Sequence, residues 1–270
     1  MQNGDVKAVI PIAGLGTRLL PFSKVIPKAM LPVHDRPCVQ WIVEELNKAG
    51  VNDIIFIYSK GQEMIRDYFG EKTWYDDELV KRGKTAEAKT LENVRQLAKF
   101  HFIEQHEPLG DGHAILQAKN LIPDNEPFLV IFGDCLYHGD DAIGKLKRTY
   151  EKYHNTVVAV QTIDRNDAHQ YGIVSIDNHG KITTMVEKPK VMLPRGNDPK
   201  AMIGRYLLTP AIWSHLERHH SSSGEIRLVD GLKELQIEES IYGVEMKGTW
   251  LDTGTLEGMQ RAAEYYKKLS

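Results

Sequence analysis

Apolar residues in the first half of the chain gather in short unbroken runs, at 6–12, 54–58, 100–104 and 128–132. Runs of this length, rich in Val, Ile and Phe, predict strands that are buried on both faces. Between them, 39–49, 85–97 and 112–121 carry apolar positions at helical spacing, which predicts helices with one buried face. Strand and helix in alternation predict a parallel sheet covered by helices on both sides. The segment 74–84 is charged and partly helical, and reads as an exposed insertion or a contact between subunits.

The pattern changes in the second half. Strands are predicted at 156–162 and 201–208, and 173–177 and 182–187 flank Asn178-His179-Gly180-Lys181, a hairpin turn. Pro210 suits the first turn of a helix running to about 219. Short strands at 241–246 and 249–251 precede a closing amphipathic helix at 255–269. The expected architecture is α/β: a mainly parallel sheet carrying a smaller antiparallel lobe. No Ser/Gly-rich linker divides 1–155 from 156–270, so residues 1–270 are read as a single domain of two halves.

The chemistry sits where strands end. The first strand empties into Ala13-Gly14-Leu15-Gly16-Thr17-Arg18, followed by Lys24 and Pro27-Lys28. Glycines let backbone N–H groups approach an anion, and the cations neutralise it, so this is a phosphate cradle at the carboxyl edge of an α/β sheet. It is neither a P-loop, since no Gly-Lys-Ser/Thr follows, nor a dinucleotide fingerprint, whose third glycine is replaced by Leu19. Asp35 lies at the ribose-binding distance of that fingerprint, but Pro21, Pro27 and Pro32 preclude its helix.

Four later features admit two readings each. Gln105, with Gly110, Asp111 and Gly112 beyond it, can read a base edge or form a Gly-rich turn capped by Asp111. Gly133-Asp134 can offer a carboxylate to Mg²⁺ or close a turn. Asp252-Thr253-Gly254-Thr255 can supply a second metal carboxylate or cap the last helix. Glu187-Lys188-Pro189 can hold sugar hydroxyls and a phosphate or form an exposed ion pair. Pro189 bars the right-handed helical region at Lys188, which favours an extended pair there.

Composition narrows the classes. The 270 residues are 41% hydrophobic and 26% charged, as in ordinary globular chains, and the net charge of −3 leaves no footprint for nucleic acid. No apolar stretch approaches about 20 residues and no leader pattern is seen, so no membrane partner is expected. Cys38 and Cys135, without a CxxC pair, imply neither a disulfide framework nor a zinc site, and a reducing cytoplasm is the expected compartment. His219-His220 lies in a polar stretch and reads as a solvated helix end rather than a metal site.

Taken in order, Gly-x-Gly-Thr-Arg, Pro-Lys, Gln…Gly-x-Gly, Gly-Asp, Glu-Lys-Pro and Asp-x-Gly resemble the sugar-1-phosphate nucleotidyltransferases from about Val6 to about Tyr266. The closest branch is that of bacterial UTP–glucose-1-phosphate uridylyltransferases, which Ile203-Gly204-Arg205-Tyr206 and the run from Gly224 to Asp230 also resemble. The resemblance implies a Rossmann-like fold of the nucleotide-diphospho-sugar transferase type, and UTP and a sugar 1-phosphate as ligands. It places Ala13, Gly14, Gly16, Thr17 and Arg18 over the nucleotide, Lys28 on phosphate, and Gln105 and Gly110 on the base. It implies Mg²⁺ on Asp134 and Asp252. It assigns the sugar to Tyr171-Gly172, Glu187-Lys188 and Gly204, with Lys188 on the sugar phosphate. A homo-oligomer, dimer or tetramer, is implied as well, with 74–84 and the Tyr265-Tyr266 helix as candidate contacts.

Two positions depart from the pattern. The relatives usually carry Glu at Ala29 and Leu at Asp111, whose carboxylate can repel a phosphate or accept from a sugar hydroxyl. Trp250-Leu251-Asp252-Thr253-Gly254-Thr255 looks more like the thymidylyltransferase branch. Three other readings stay open: a dTTP-dependent thymidylyltransferase, a non-catalytic nucleotide-sugar sensor, and a dinucleotide-dependent oxidoreductase. The last is disfavoured by the missing third glycine.

Overall fold

The computed structural model describes residues 6–190, 198–218 and 224–269; His219 and His220 lie outside them. The first strand, β1 (Ala8–Pro11), is followed by a two-stranded ribbon of β2 (Pro32–Val33) and β3 (Arg36–Pro37), then by helix α1 (Cys38–Lys48). Next come β4 (Asp53–Ser59), α2 (Met64–Phe69), α3 (Trp74–Lys81), α4 (Thr85–Arg95) and β5 (Lys99–Gln105). Short α5 (Asp111–Leu116) leads to β6 (Phe128–Ile131), β7 (Cys135–His138), α6 (Ala142–Tyr153) and β8 (Val157–Thr162).

The second half contributes β9 (Gly172–Ile176), β10 (Ile182–Glu187), β11 (Lys200–Leu208), α7 (Ile212–Arg218) and α8 (Leu228–Glu238). It closes with β12 (Tyr242–Glu245), β13 (Thr249–Asp252) and α9 (Leu256–Lys267).

One mixed sheet runs β10-β9-β11-β6-β1-β4-β5, with β8 paired to β11 and β12 to β8. Its β6-β1-β4-β5 half is parallel, as the buried runs predict. The antiparallel strands join it directly, through β11 against β6, so the second half extends the first half's sheet. Alternate side chains of each central strand face opposite helical layers. Ala8, Ile10, Ile54, Phe56, Leu129 and Ile131 pack with α1 and α9, whereas Val9, Ile55, Ile57, Phe128 and Val130 pack with α5, α7 and α8. No helix among the described residues is long and apolar enough to cross a membrane.

Some elements differ from expectation. The predicted 112–121 helix stops at Leu116 and resumes as a 3-10 turn at Lys119–Leu121. The helix expected to start at Pro210 begins at Ile212. The charged 74–84 segment folds as a helix capped by Thr73 and Asp76 and tied to α4 by Arg95–Asp76 at 2.7 Å. Tyr266 is buried and stacks on Trp41 at 3.9 Å, so it belongs to this chain's own core rather than to a free face. Lys188, expected to be extended, has φ 44°. Pro189 excludes the right-handed helical region, and Lys188 N–H donates to Tyr171 O at 3.1 Å, so the chain leaves β10 through the left-handed region. That is an uncommon conformation for a side chain without local hydrogen bonding, and it is held here by the surrounding contacts.

Candidate functional site

A cleft of about 520 Å³ opens at the carboxyl ends of β1, β5 and β6 and is walled on its far side by residues of β9, β10, β11 and β13. This is the side on which open α/β sheets take ligands. Its lining brings together Ala13, Gly14, Gly16, Thr17, Arg18, Lys28, Gln105, Gly110, Asp134, Tyr171, Gly172, Glu187, Lys188, Gly204 and Asp252.

The loop after β1 is clamped by its carbonyls. Ser59 Oγ donates to Ala13 O at 2.9 Å, Gln62 Nε2 to Gly14 O at 3.1 Å and Ser23 Oγ to Gly16 O at 2.8 Å. The N–H groups of Gly14, Leu15, Gly16 and Thr17 meet no acceptor among the described residues. Carbonyls fixed on one side and amides free on the other make a ready anion cradle. Gly16 has φ 63°, and a Cβ there would lie 3.1 Å from Ser23 Cβ, so the turn requires glycine.

Lys28 Nζ donates to Asp134 Oδ2 at 2.5 Å beneath this loop. Burial alone would push Asp134 up, but the Lys28 charge and hydrogen bond hold its carboxyl below the ordinary range. Burial likewise opposes the charge on Lys28, and Asp134 more than restores it. Both groups are therefore ionised near neutral pH. Ala29, beside Lys28, is buried near the turn that carries Gly133.

Asp252 reaches the same place from the other end of the chain. It pairs with Cys135 across the β13–β7 ribbon, and both Thr253 N–H and Thr253 Oγ1 donate to Asp134 O at 2.8 Å. A Cβ on Gly254 would lie 2.7 Å from Arg18 Nη2 and 3.0 Å from Asp252 Oδ1, so the glycine gives the guanidinium room beside that carboxylate. Burial, then the charge and hydrogen bond of Asp252, push the Tyr171 hydroxyl up to about 12. Cys38, pushed by burial to about 12, and Cys135, pushed well up by burial, both stay thiols and offer no nucleophile.

The far wall is shaped by close approaches. A Cβ on Gly204 (φ 69°) would sit 2.7 Å from Cys135 Sγ, and one on Gly172 would sit 2.9 Å from Glu187 Oε2. The register of β11 against β8 shifts between Met202 and Tyr206, which places Gly204 in a bulge facing the cleft. Burial raises Glu187, and Lys188 opposes the rise. Lys188 Nζ lies 3.8 Å from Glu187 Oε1 with a side chain 63% exposed, so it is a solvated cation at the rim.

Asp111 is exposed on the wall of the cleft. Its Oδ1 accepts Gly112 N–H at 2.7 Å and Leu228 N–H at 3.0 Å, joining the starts of α5 and α8. Half of the carboxylate is thus committed to backbone donors at two helix starts, sharing Gly112 N–H with Ile226 O at 2.9 Å. Arg227 also lines the cleft, paired with Asp230 at 2.6 Å. The sequence signalled it only as part of the Gly224–Asp230 run. Among the described residues no group of three or more His, Cys, Asp or Glu could hold a metal unaided. Asp134 and Asp252 offer two hard carboxylates, which fits an ion such as Mg²⁺ that completes its shell with phosphate and water.

Comparison with known proteins agrees with this geometry. A family profile described as nucleotidyl transferase matches residues 7–268. UTP–glucose-1-phosphate uridylyltransferase of Bacillus subtilis is 37% identical over 92% of this chain and 86% of that protein. UTP-bound UGPase from Acinetobacter baumannii superposes with TM-score 0.88 at 29% identity, over 99% of this chain and 95% of the other. A UDP-glucose pyrophosphorylase complexed with UDP-glucose superposes with TM-score 0.85 at 31% identity, over 99% and 100% of the two chains.

Proposed function

The chain belongs to the nucleotidyl transferase family, and from that premise we propose that it transfers the uridylyl group of UTP to glucose 1-phosphate, releasing pyrophosphate and UDP-glucose. The observation that carries this reading is one cleft holding a free-amide cradle, the Lys28–Asp134 pair with Asp252 beside it, Gln105 at one end and Glu187-Lys188 at the other.

In this reading Ala13, Gly14, Gly16 and Thr17 cradle the nucleotide, and Arg18 and Lys28 bind the triphosphate and the departing pyrophosphate. Gln105 and Gly110 read the base, while Tyr171, Gly172, Glu187 and Gly204 hold the sugar. Members of the family generally use a divalent metal; here Asp134 and Asp252 would hold Mg²⁺, which would supply charge neutralisation to the phosphates.

A phosphate oxygen of the sugar phosphate attacks the α-phosphorus in line, the α–β bridge breaks, and its electrons leave with pyrophosphate. The nucleophile is already an anion, so no residue need act as a base. The barrier is the mutual repulsion of two polyanions, and positioned cations lower it. Arg18 and Lys28 do so on the nucleotide, Lys188 on the sugar phosphate.

Lys188→Met should therefore raise KM for glucose 1-phosphate about 10- to 100-fold, the loss of one charge-assisted hydrogen bond, and leave KM for UTP within about twofold. Initial rates at varied concentrations of each substrate test this. An unchanged KM for glucose 1-phosphate would remove Lys188 from the sugar phosphate. We take residues 1–155 and 156–270 to act as one catalytic unit, since the cleft needs both. We place a contact between copies in a homo-oligomer on α3, where Trp74 is 76% exposed; a monomer by light scattering would exclude it.

A further inference from the structure

We propose that His113 is a positioning residue for base selection: it fixes which end of the Gln105 amide meets the base, and so favours bases that carry a hydrogen on ring nitrogen 3. The inference rests on the reading of Gln105 as the base-contacting group and adds what orients it.

Gln105 closes β5 with 4% of its surface exposed, on the wall of the cleft. Its Nε2 lies 3.1 Å from Gly110 O and 2.8 Å from His113 Nδ1. A backbone carbonyl can only accept, so the amide nitrogen must face Gly110. The reverse orientation would set two oxygens against each other at a site with little access to water, at the full cost of an unmet polar group. The first amide hydrogen therefore goes to Gly110 O. The second points at His113 Nδ1, which must then carry a lone pair. His113 is accordingly the neutral tautomer with its hydrogen on Nε2.

That hydrogen needs an acceptor in turn. The Gln117 amide nitrogen is drawn 3.1 Å from His113 Nε2, where two donors would face each other, and also 3.2 Å from His113 O. Turning that amide in place would only set its oxygen 3.2 Å from His113 O, so Gln117, which is partly exposed, must swing its amide away from the ring and leave the imidazole hydrogen to water. The donor chain within the site then runs from Gln105 to His113 Nδ1 on one side and to Gly110 O on the other.

Both hydrogens of the Gln105 amide are thus engaged, and its Oε1, which meets no donor among the described residues, is the atom left for a ligand. An acceptor at that point matches the N3–H of uracil or thymine and opposes the N3 lone pair of cytosine. Such a mismatch is what lets a polar site reject a near-isosteric ligand.

Removing the His113 acceptor leaves the amide held by Gly110 O alone and freer to turn. His113→Leu should lower the ratio of kcat/KM for UTP over CTP about 5- to 10-fold, the worth of one hydrogen bond, while KM for glucose 1-phosphate stays constant. His113→Asn, whose Oδ1 can take the place of Nδ1, should restore most of the ratio. Calorimetric binding of UTP and CTP to the same variants should move in parallel, independently of turnover.

An unchanged ratio in His113→Leu, or an equal loss in the Leu and Asn variants, overturns the proposal. Gln105→Leu separates the two layers. If it leaves the ratio unchanged, the base-reading role of Gln105 is itself wrong. If it collapses the ratio while His113→Leu does not, only the role of His113 fails.

Discussion

Asp134→Ala is expected to lower turnover by about two to four orders of magnitude while the protein keeps its fold. The carboxylate does two things in the cleft. In the proposed reading it is one of two hard oxygen ligands for a divalent ion, and removing a metal's contribution to charge stabilisation costs several kcal/mol, at about 1.4 kcal/mol per decade of rate. It also compensates Lys28, whose ammonium would otherwise be charged in a buried place without a partner.

Asp134→Asn keeps the shape but not the charge, and should fall nearly as far, which separates loss of charge from loss of packing. The fold should survive in both, because the backbone of Asp134 is held by Thr253 through two bonds at 2.8 Å that need no side chain. Pyrophosphate release gives the rate, and circular dichroism with thermal unfolding gives the fold. A near-normal rate in a folded variant would remove Asp134 from the metal site.

The second large effect is expected at Arg205, in stability. Its side chain is fully buried, donates to Glu45 through Nε at 3.0 Å and Nη2 at 2.6 Å, and lies 5.3 Å from the centre of the Tyr137 ring. Burial works against its charge, and Glu45 sustains it. Arg205→Met strands the Glu45 carboxylate, and breaking one side of a buried pair costs about 3–5 kcal/mol. Glu45 is 20% exposed and can recover some hydration, which puts the loss at the lower end of that range.

Pairing Arg205→Met with Glu45→Leu should recover much of the loss, since replacing a whole buried pair by apolar groups is close to neutral. Urea denaturation of the single and double variants measures this. A single-variant loss below about 1 kcal/mol, or a double variant no better than the single, would contradict it. Arg205 also follows Gly204, whose carbonyl takes Phe132 N–H at 2.9 Å, so the weakened strand is the one that walls the sugar end of the cleft.

The parallel half of the sheet was legible because β1, β4 and β6 are hydrophobic on both faces and sit between clear helical periods. The cradle was legible because its glycines and cations are contiguous. Other parts depend on distant partners. β7 is four residues long and pairs with β13, far along the chain, so its own sequence carries little strand signal. α6, AIGKLKRTYEKY, has few apolar positions and is fixed by its Asp141 cap and by packing of Ile143 and Leu146. Arg205 and Glu45 stand 160 positions apart, and Asp111 meets Leu228 across 117.

Asp111 shows the difference most clearly. As a sequence departure it reads as a charge aimed at substrate, whereas half of its carboxylate bonds to backbone at two helix starts. Lys188 was misread for a related reason: Pro189 rules out one backbone region, but only the bond to Tyr171 selects among those left.

The most direct test of the account is pyrophosphate release with Mg²⁺, glucose 1-phosphate and each of UTP, dTTP, CTP, ATP and GTP in parallel. The account predicts strong release with UTP, lesser release with dTTP, which offers Gln105 the same edge with one added methyl, and little with the other three. Release with none of the five would contradict it, and so would release led by CTP or a purine nucleotide.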